Sequence, residues 1–114
     1  MIQTDICVIG AGPVGLFSVF EAGLLKMRCH LVDVLPQVGG QLSEIYPQKP
    51  IYDIPGYPTI KAQELVDHLM EQIAPFKPTF TLGERVETID KQEDGSMILN
   101  TSDGTSIHCQ VLVI

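Results

Sequence analysis

The sequence predicts an α/β protein in which a doubly wound parallel sheet is combined with an antiparallel β-meander. Three observations lead to this prediction. A continuous apolar run, Ile6 to Ile9, ends at a glycine-rich turn. An apolar helical segment and a second apolar run follow that turn. Two Asp-Gly pairs then divide the C-terminal part into β-rich segments. The first two features are typical of a right-handed βαβ unit, and the third is typical of hairpins.

The N-terminal half contains the predicted βαβ unit and a long loop. Ile6 to Ile9 is apolar at every position, as expected for a strand that is covered on both faces. We predict a helix over Val14 to Leu25 and a second strand within Met27 to Asp33. The segment from Leu35 to Thr59 is rich in proline and predicts an irregular loop. Loops of this length inside compact domains are usually functional or disordered, and its tyrosines and Gly-Gly pair favour function.

The C-terminal half predicts one amphipathic helix followed by strands. Apolar residues from Ala62 to Ile73 recur at helical spacing, and the prolines beyond them end the helix. Phe80 to Leu82 predicts a short strand. The turns Asp94-Gly95 and Asp103-Gly104 separate three segments of an antiparallel meander. Acidic side chains at the start of the meander are interpreted as a solvated strand face: Glu84, Glu87 and Asp90.

The last residues, Val111 to Ile114, form an apolar run that predicts a buried parallel strand. Natural edge strands are normally protected by charge or proline, and this run contains neither. We therefore expect residues 1–114 to be part of a larger protein that has been cut inside its sheet. The alternative is a domain that ends naturally at Ile114.

Composition excludes several classes of function. The 114 residues hold seven Lys and Arg against fourteen Asp and Glu, a net charge of −7, which disfavours nucleic acid and anionic membranes as partners. No apolar run is long enough to cross a bilayer or to act as a signal peptide. The histidines and cysteines lack metal-ligand spacing and CxxC pairs, so we expect no metal site and a cytoplasmic location. We interpret the cysteines as core residues: Cys7, Cys29 and Cys109.

The glycine-rich turn has the spacing of a dinucleotide-binding loop, Gly10-x-Gly12-x-x-Gly15. Gly10 would permit the tight turn, Gly12 would let the backbone approach a pyrophosphate, and Gly15 would let the helix pack closely on the strand. Pro13 suits the first helical position because its missing N–H would have no partner there. Asp33 follows Gly12 by 21 residues at the end of the second strand. A carboxylate there would bind a ribose and would repel a 2′-phosphate. These features predict NAD or FAD without deciding between them.

Further motifs resemble one family. Asp5 to Gly15 (DICVIGAGPVG), Asp33 and Gly39-Gly40-Gln41-Leu42 look like the FAD half of thioredoxin-reductase-like flavoproteins. Additional segments narrow the resemblance to the thioredoxin-reductase-like ferredoxin–NADP(+) reductases of the pyridine nucleotide-disulfide oxidoreductase superfamily: Tyr46 to Asp53 (YPQKPIYD), Pro55 to Pro58 (PGYP) and Ala62 to Leu65 (AQEL).

The resemblance implies a set of FAD-binding residues. Asp33 would bind the adenosine ribose, and Gln41, after Gly40, would contact the flavin half. Tyr46 would stack on the isoalloxazine, and Val86 would meet the adenine. The full implied set, with the phosphate loop, is Gly10, Gly12, Pro13, Gly15, Asp33, Gly40, Gln41, Tyr46 and Val86. No catalytic residue is assigned, because the flavin carries the chemistry in such enzymes.

The resemblance implies an oxidoreductase that moves electrons between NADPH and ferredoxin through FAD, and a homodimer. The NADPH domain and the later flavin contacts would lie outside residues 1–114, so this chain alone would be inactive. Leu42 to Tyr46 contains no cysteine, so this half performs no thiol–disulfide chemistry. A thioredoxin reductase, whose CxxC lies in the NADPH domain, stays open as an alternative. So does a non-enzymatic FAD-binding or scaffold module.

Overall fold

The computed structural model describes all residues from 1 to 114 and contains ten short strands, three helices and a 3₁₀ turn. The elements of the first half are β1 Ile2–Gln3, β2 Ile6–Ile9, α1 Pro13–Leu24, β3 Cys29–Asp33, α2 Gln41–Glu44, β4 Pro50–Ile51 and β5 Ile60–Lys61. The second half contains α3 Ala62–Ile73, the 3₁₀ turn Ala74–Phe76, β6 Thr79–Leu82, β7 Val86–Lys91, β8 Met97–Thr101, β9 Ser106–Cys109 and β10 Val111–Val113.

The strands form two four-stranded sheets and one small ribbon. The first sheet has the order β10-β2-β3-β6, and all of its neighbouring strands are parallel. The second sheet has the order β1-β9-β8-β7, in which β7, β8 and β9 form the antiparallel meander. The ribbon pairs β4 with β5 immediately before α3. The predicted fold class, an α/β protein with a parallel sheet and a meander, is confirmed.

The parallel sheet lies between the helices and the meander, so the domain has three layers. Alternate side chains of β2 point to opposite faces, as the pleat requires. Ile6 and Val8 pack with residues of α1 and α3 in the larger core. Cys7 packs with Leu99 and Ile107 of the meander in a second core. Because β2 and β3 are covered on both faces, their continuous apolar sequences are explained.

Most predicted elements are confirmed, with small shifts at their ends. The strand Ile6–Ile9 and the helix Ala62–Ile73 agree with their predicted bounds. The first helix runs from Pro13 to Leu24, one residue earlier at each end than the predicted Val14 to Leu25, and Pro13 occupies the first turn, as predicted. The predicted irregular loop of residues 35–59 contains the one-turn helix α2 and the strand β4, so it is more ordered than predicted.

Two further differences concern the ends of the chain. Ile2–Gln3 forms a strand, β1, that pairs in parallel with β9 and that the sequence did not predict. The last apolar run is a parallel strand beside β2, as predicted, but it is the edge strand and is not buried. Val111 is 46% exposed and Ile114 is 88% exposed, because no further strand pairs with β10 here. No helix in the structure has the length and apolar character that crossing a membrane requires.

Candidate functional site

The glycine loop lies between the end of β2 and the start of α1, and two of its glycines are required by the local geometry. Gly10 has φ +115°, in the region that side-chain-bearing residues rarely adopt. Gly15 lies against the Gly10 carbonyl, so a Cβ on Gly15 would overlap the Gly10 backbone oxygen. The loop can therefore turn tightly, and α1 can pack directly on the end of β2.

The third glycine, Gly12, has a different environment. Its φ of −77° is accessible to any residue, and a Cβ built on it would meet no protein atom within 4 Å. The protein fold therefore does not require glycine at this position. A ligand that lies against the backbone would require it, because the open space beside Gly12 is where a side chain would extend.

The start of α1 presents backbone donors to the same open space. Gly12 is the N-cap, and no side chain caps the helix. Leu16 donates the first backbone hydrogen bond, to the Gly12 carbonyl at 2.9 Å. The N–H groups of Val14 and Gly15 precede it and have no acceptor within the helix. Together with the helix dipole, these donors favour an anion such as a pyrophosphate.

Asp33 connects the end of β3 to the glycine loop. Its Oδ2 accepts a hydrogen bond from the Ala11 N–H at 2.7 Å, and its Oδ1 accepts one from the Leu35 N–H at 3.0 Å. Each carboxylate oxygen keeps acceptor capacity after one such bond. Asp33 can therefore hold the loop in shape and still accept a hydrogen bond from a ribose hydroxyl.

A cleft of about 240 Å³ brings together three of the residues that the sequence singles out, Gly10, Asp33 and Val86. Val86 begins β7 and lines the cleft together with Ile9 of β2 and Val32 of β3. Glu84 and Arg85 also line the cleft, although no sequence motif marks either of them as a site residue. The cleft thus places the Asp33 carboxylate beside the glycine loop.

Glu84 requires a correction, since we had interpreted it as part of a solvated strand face. It lies before β7, in a turn, and its Oε1 accepts hydrogen bonds from the hydroxyls of Thr101 at 2.6 Å and Thr105 at 2.7 Å. These two bonds lower the pKa of the Glu84 carboxyl, the Thr101 bond most strongly. Glu84 thus fixes the turn at the edge of the cleft, whereas Glu87 and Asp90 are exposed on β7 as predicted.

The Gly39-Gly40 turn packs against the glycine loop. The Gly39 N–H donates to the Ala11 carbonyl at 2.7 Å. A Cβ built on Gly40 would lie 3.3 Å from the Gly12 Cα, and Gly40 has φ +60°. Gly40 is the N-cap of α2, so Gln41, the first helical residue, follows directly after the point of contact, and its side chain is exposed. Two segments that are far apart in sequence therefore meet at Gly12.

Tyr46 lies in a turn that is attached to the start of α3. The Lys49 N–H donates to the Tyr46 carbonyl at 3.1 Å and closes the turn. The helix α3 has no side-chain cap. Instead, the first N–H groups of α3, from Ala62 and Gln63, donate to the carbonyls of Lys49 and Pro47, each at 2.9 Å. Tyr46 is 54% exposed, so its ring is available to a flat ligand.

A hollow of about 500 Å³ lies beyond Pro13, between Leu42, Leu65 and the segment 49–54. Neither Gln41 nor Tyr46 lines this hollow or the Asp33 cleft. The structure thus brings Gly10, Asp33 and Val86 into one cleft and joins Gly12 to Gly40. Gln41 and Tyr46 lie farther along the same loop.

The other candidate side chains are structural. All three cysteines are buried and unpaired, and burial raises the pKa of the Cys7 thiol to about 12. His30 is buried between the hydroxyls of Thr79 and Thr81, each 2.7 Å from a ring nitrogen. The Tyr57 hydroxyl lies 3.2 Å from Nδ1 of His68, and the Tyr52 side chain is 72% exposed. As predicted, the cysteines lie in the core, and His30 is a buried histidine whose two ring nitrogens are both hydrogen-bonded.

Comparison with known proteins extends the resemblance that the sequence motifs indicate. No protein-family model matches the chain. It is 71% identical over 114 residues to ferredoxin–NADP reductase 1 of Christiangramia forsetii, covering 100% of this chain and 32% of that protein. The ferredoxin–NADP reductase of Flavobacterium johnsoniae is 65% identical over the same 114 residues, which cover 33% of its length. The chain spans about a third of the length of the curated relatives it matches.

Solved structures support the fold. The thioredoxin reductase of Streptococcus pyogenes aligns with a TM-score of 0.82 at 23% identity, over 96% of this chain and 34% of that chain. The thioredoxin reductase of T. acidophilum aligns with a TM-score of 0.82 at 21% identity, over 98% of this chain and 34% of that one. The predicted resemblance is confirmed: the chain is similar along its whole length to ferredoxin–NADP reductases and has the fold found in thioredoxin reductases.

Proposed function

We propose that this chain is the FAD-binding part of a flavoprotein oxidoreductase that moves electrons between NADPH and ferredoxin. The observation that carries the FAD assignment is the geometry at Gly12. Free helix donors, an open space and the Gly39-Gly40 turn all meet there. The ferredoxin assignment is supported by two relatives, 71% and 65% identical, that are named ferredoxin–NADP reductases.

The cofactor would extend along the loops at the carboxyl ends of the parallel strands. The Asp33 carboxylate would bind the adenosine ribose, and Val86 would contact the adenine. The N–H groups at the start of α1 would bind the pyrophosphate at Gly12. Gln41 would contact the flavin half, and the exposed ring of Tyr46 would cover the isoalloxazine. The order of these residues around the glycine loop supports this orientation, with the adenosine at the Asp33 end and the flavin at the Tyr46 end.

The chain's own residues would bind and orient the cofactor. Bound FAD would supply the redox chemistry, because a flavin can exchange both hydride and single electrons. The Asp33 carboxylate would disfavour a 2′-phosphate by charge repulsion, so this site would take FAD and not NADP. A separate NADPH site would then be required. We propose that it lies outside residues 1–114, which is consistent with relatives about three times as long as this chain.

A thioredoxin reductase is the second candidate, and it is favoured by the fold comparisons alone. All three cysteines of this chain are buried and unpaired, so any redox dithiol would have to lie elsewhere in the protein. A non-enzymatic FAD-binding module is the third candidate. We further propose a homodimer and a cytoplasmic location, the latter because the three thiols are free.

Electron transfer from NADPH to each acceptor distinguishes these candidates. The purified full-length protein should oxidise NADPH when ferredoxin is present and should pass electrons from ferredoxin to cytochrome c. It should not reduce thioredoxin, measured by reduction of an aromatic disulfide reagent. Reduction of thioredoxin without reduction of ferredoxin would favour the second candidate. Bound FAD without any NADPH oxidation would favour the third.

A further inference from the structure

We propose that Lys49 is a positioning residue for the flavin ring, acting through Tyr46. This inference rests on the proposed function, because it assumes that Tyr46 covers the isoalloxazine. The Lys49 ammonium Nζ lies 5.4 Å from the centroid of the Tyr46 ring. That distance is within the range in which a cation is attracted to the face of an aromatic ring.

The backbone holds these two side chains in the same place. Tyr46 and Lys49 are the ends of one turn, closed by the 3.1 Å bond from the Lys49 N–H to the Tyr46 carbonyl. The Lys49 carbonyl then accepts from the first N–H of α3. Pro50 and Ile51, which follow, pair with β5. Lys49 therefore belongs to an anchored segment although its side chain is exposed.

The Lys49 ammonium has no competing carboxylate. The single salt bridge of the structure joins Arg28 to Asp5, and no acidic oxygen lies within 4.0 Å of Lys49. The Tyr46 ring is thus its one specific partner. With a cation over one face of the ring, the opposite face is left for a flat ligand, so Lys49 would decide which face of Tyr46 the isoalloxazine uses.

The charge of Lys49 has a second consequence for the flavin. Two-electron reduction with uptake of one proton adds one negative charge to the ring system. A nearby cation stabilises that charge, and it also polarises the Tyr46 ring between them. Lys49 should therefore make the reduction potential of the bound flavin less negative. A residue that only supported the loop would not produce this effect.

The test uses the full-length flavin-loaded protein with four variants. Lys49→Met removes the charge and keeps the aliphatic stem, Lys49→Arg keeps a cation, and Lys49→Glu reverses the charge. Lys91→Met is the matched control, because Lys91 is an exposed lysine on β7 and the charge change is the same. FAD affinity, flavin fluorescence and reduction potential are measured for each variant.

We expect Lys49→Met to weaken FAD binding about two- to five-fold, to raise flavin fluorescence and to shift the potential to a more negative value. Lys49→Glu should shift the potential further in the same direction. Lys49→Arg and Lys91→Met should resemble the unmodified protein. If Lys49→Met behaves like Lys91→Met while Tyr46→Ala alters the flavin, the role of Lys49 is overturned and the FAD site stands. An unmodified protein without flavin would overturn both.

Discussion

Asp33 accepts the backbone N–H of Ala11 at 2.7 Å, across 22 positions of the sequence. This bond joins the end of β3 to the glycine loop that follows β2. The same carboxylate accepts the Leu35 N–H at 3.0 Å, so it also fixes the chain as it leaves β3. Asp33 therefore organises the glycine loop, in addition to the role in ribose binding that we propose for its carboxylate.

We expect Asp33→Asn to weaken both FAD binding and folding. An amide can accept only through its oxygen, so one of the two backbone N–H groups loses its partner. Loss of a hydrogen bond to a charged group costs about 1.5–3 kcal/mol of free energy. The same loss at the ribose contact would weaken FAD binding about ten-fold or more. Fluorescence titration with FAD and urea unfolding measure the two effects. Asp67→Asn, on the exposed face of α3, is the control and should change neither.

We expect Tyr46→Ala to release the quenching of the flavin. Aromatic contacts contribute about 0.5–1.5 kcal/mol beyond burial, so FAD binding should weaken without being lost. Flavin fluorescence should rise, and the reduction potential should change. Tyr52→Ala is the matched control, because Tyr52 is 72% exposed in the same loop and has no predicted contact with the cofactor. An unchanged flavin spectrum and potential in Tyr46→Ala would remove Tyr46 from the site.

Periodicity and glycine spacing predicted the elements whose burial follows a local apolar pattern. The helix Ala62–Ile73 and the strand Ile6–Ile9 are governed by local apolar patterns, so their bounds agree with the prediction. The strand β1 has only two residues, Ile2 and Gln3, and depends on pairing with β9 more than 100 positions away. A local sequence pattern cannot predict a strand that depends on so distant a partner.

The candidate site was predictable only where a residue has a distinctive local role. The three glycines of the loop and Asp33 have fixed spacing, and the structure brings Asp33 to the loop. Glu84 was misinterpreted because its hydroxyl partners, Thr101 and Thr105, follow 17 and 21 positions later, beyond one and two turns of the meander. The contact between Lys49 and Tyr46 could not be predicted from the sequence, because it depends on the shape of an irregular turn.

Stability should fall as the pH drops through the range in which histidine protonates. Burial lowers the pKa of His30 below its ordinary value of 6.5. The unfolded chain therefore takes up a proton near pH 6.5 that the folded chain does not, which favours unfolding as the pH falls further. The slope from one such group is at most about 1.4 kcal/mol per pH unit. Urea unfolding between pH 7.5 and 5.5 should show this slope, and His30→Gln should reduce it. An equal slope in both proteins would exclude His30 as its source.

The cysteines should be unreactive in the folded protein. Burial raises the pKa of Cys7 to about 12, and it also raises the pKa values of Cys29 and Cys109. At pH 8 only about one Cys7 in 10⁴ would be a thiolate, the form that reacts with disulfide reagents. A disulfide reagent should therefore label none of the three in the native chain and all three in guanidinium. Rapid native labelling of Cys7 would contradict its placement in the core.

Gly12 and Gly15 should respond differently to the same substitution. A side chain on Gly12 meets no protein atom, so Gly12→Val should change the free energy of unfolding by about 1 kcal/mol or less, mainly through the weaker N-cap. A side chain on Gly15 overlaps the Gly10 carbonyl, so Gly15→Val should cost about 1–3 kcal/mol or more. Thermal unfolding followed by circular dichroism compares the two variants. Equal stability of both would show that α1 does not pack on the loop as described.

The flavin content of purified Gly12→Val protein tests the central claim most directly. In the full-length protein, the valine would occupy the space between the backbone and the pyrophosphate. We predict that the unmodified protein purifies with bound FAD, and that Gly12→Val purifies without flavin absorbance while keeping its secondary structure. A folded Gly12→Val protein with the flavin content of the unmodified protein would contradict the placement of the cofactor at this loop.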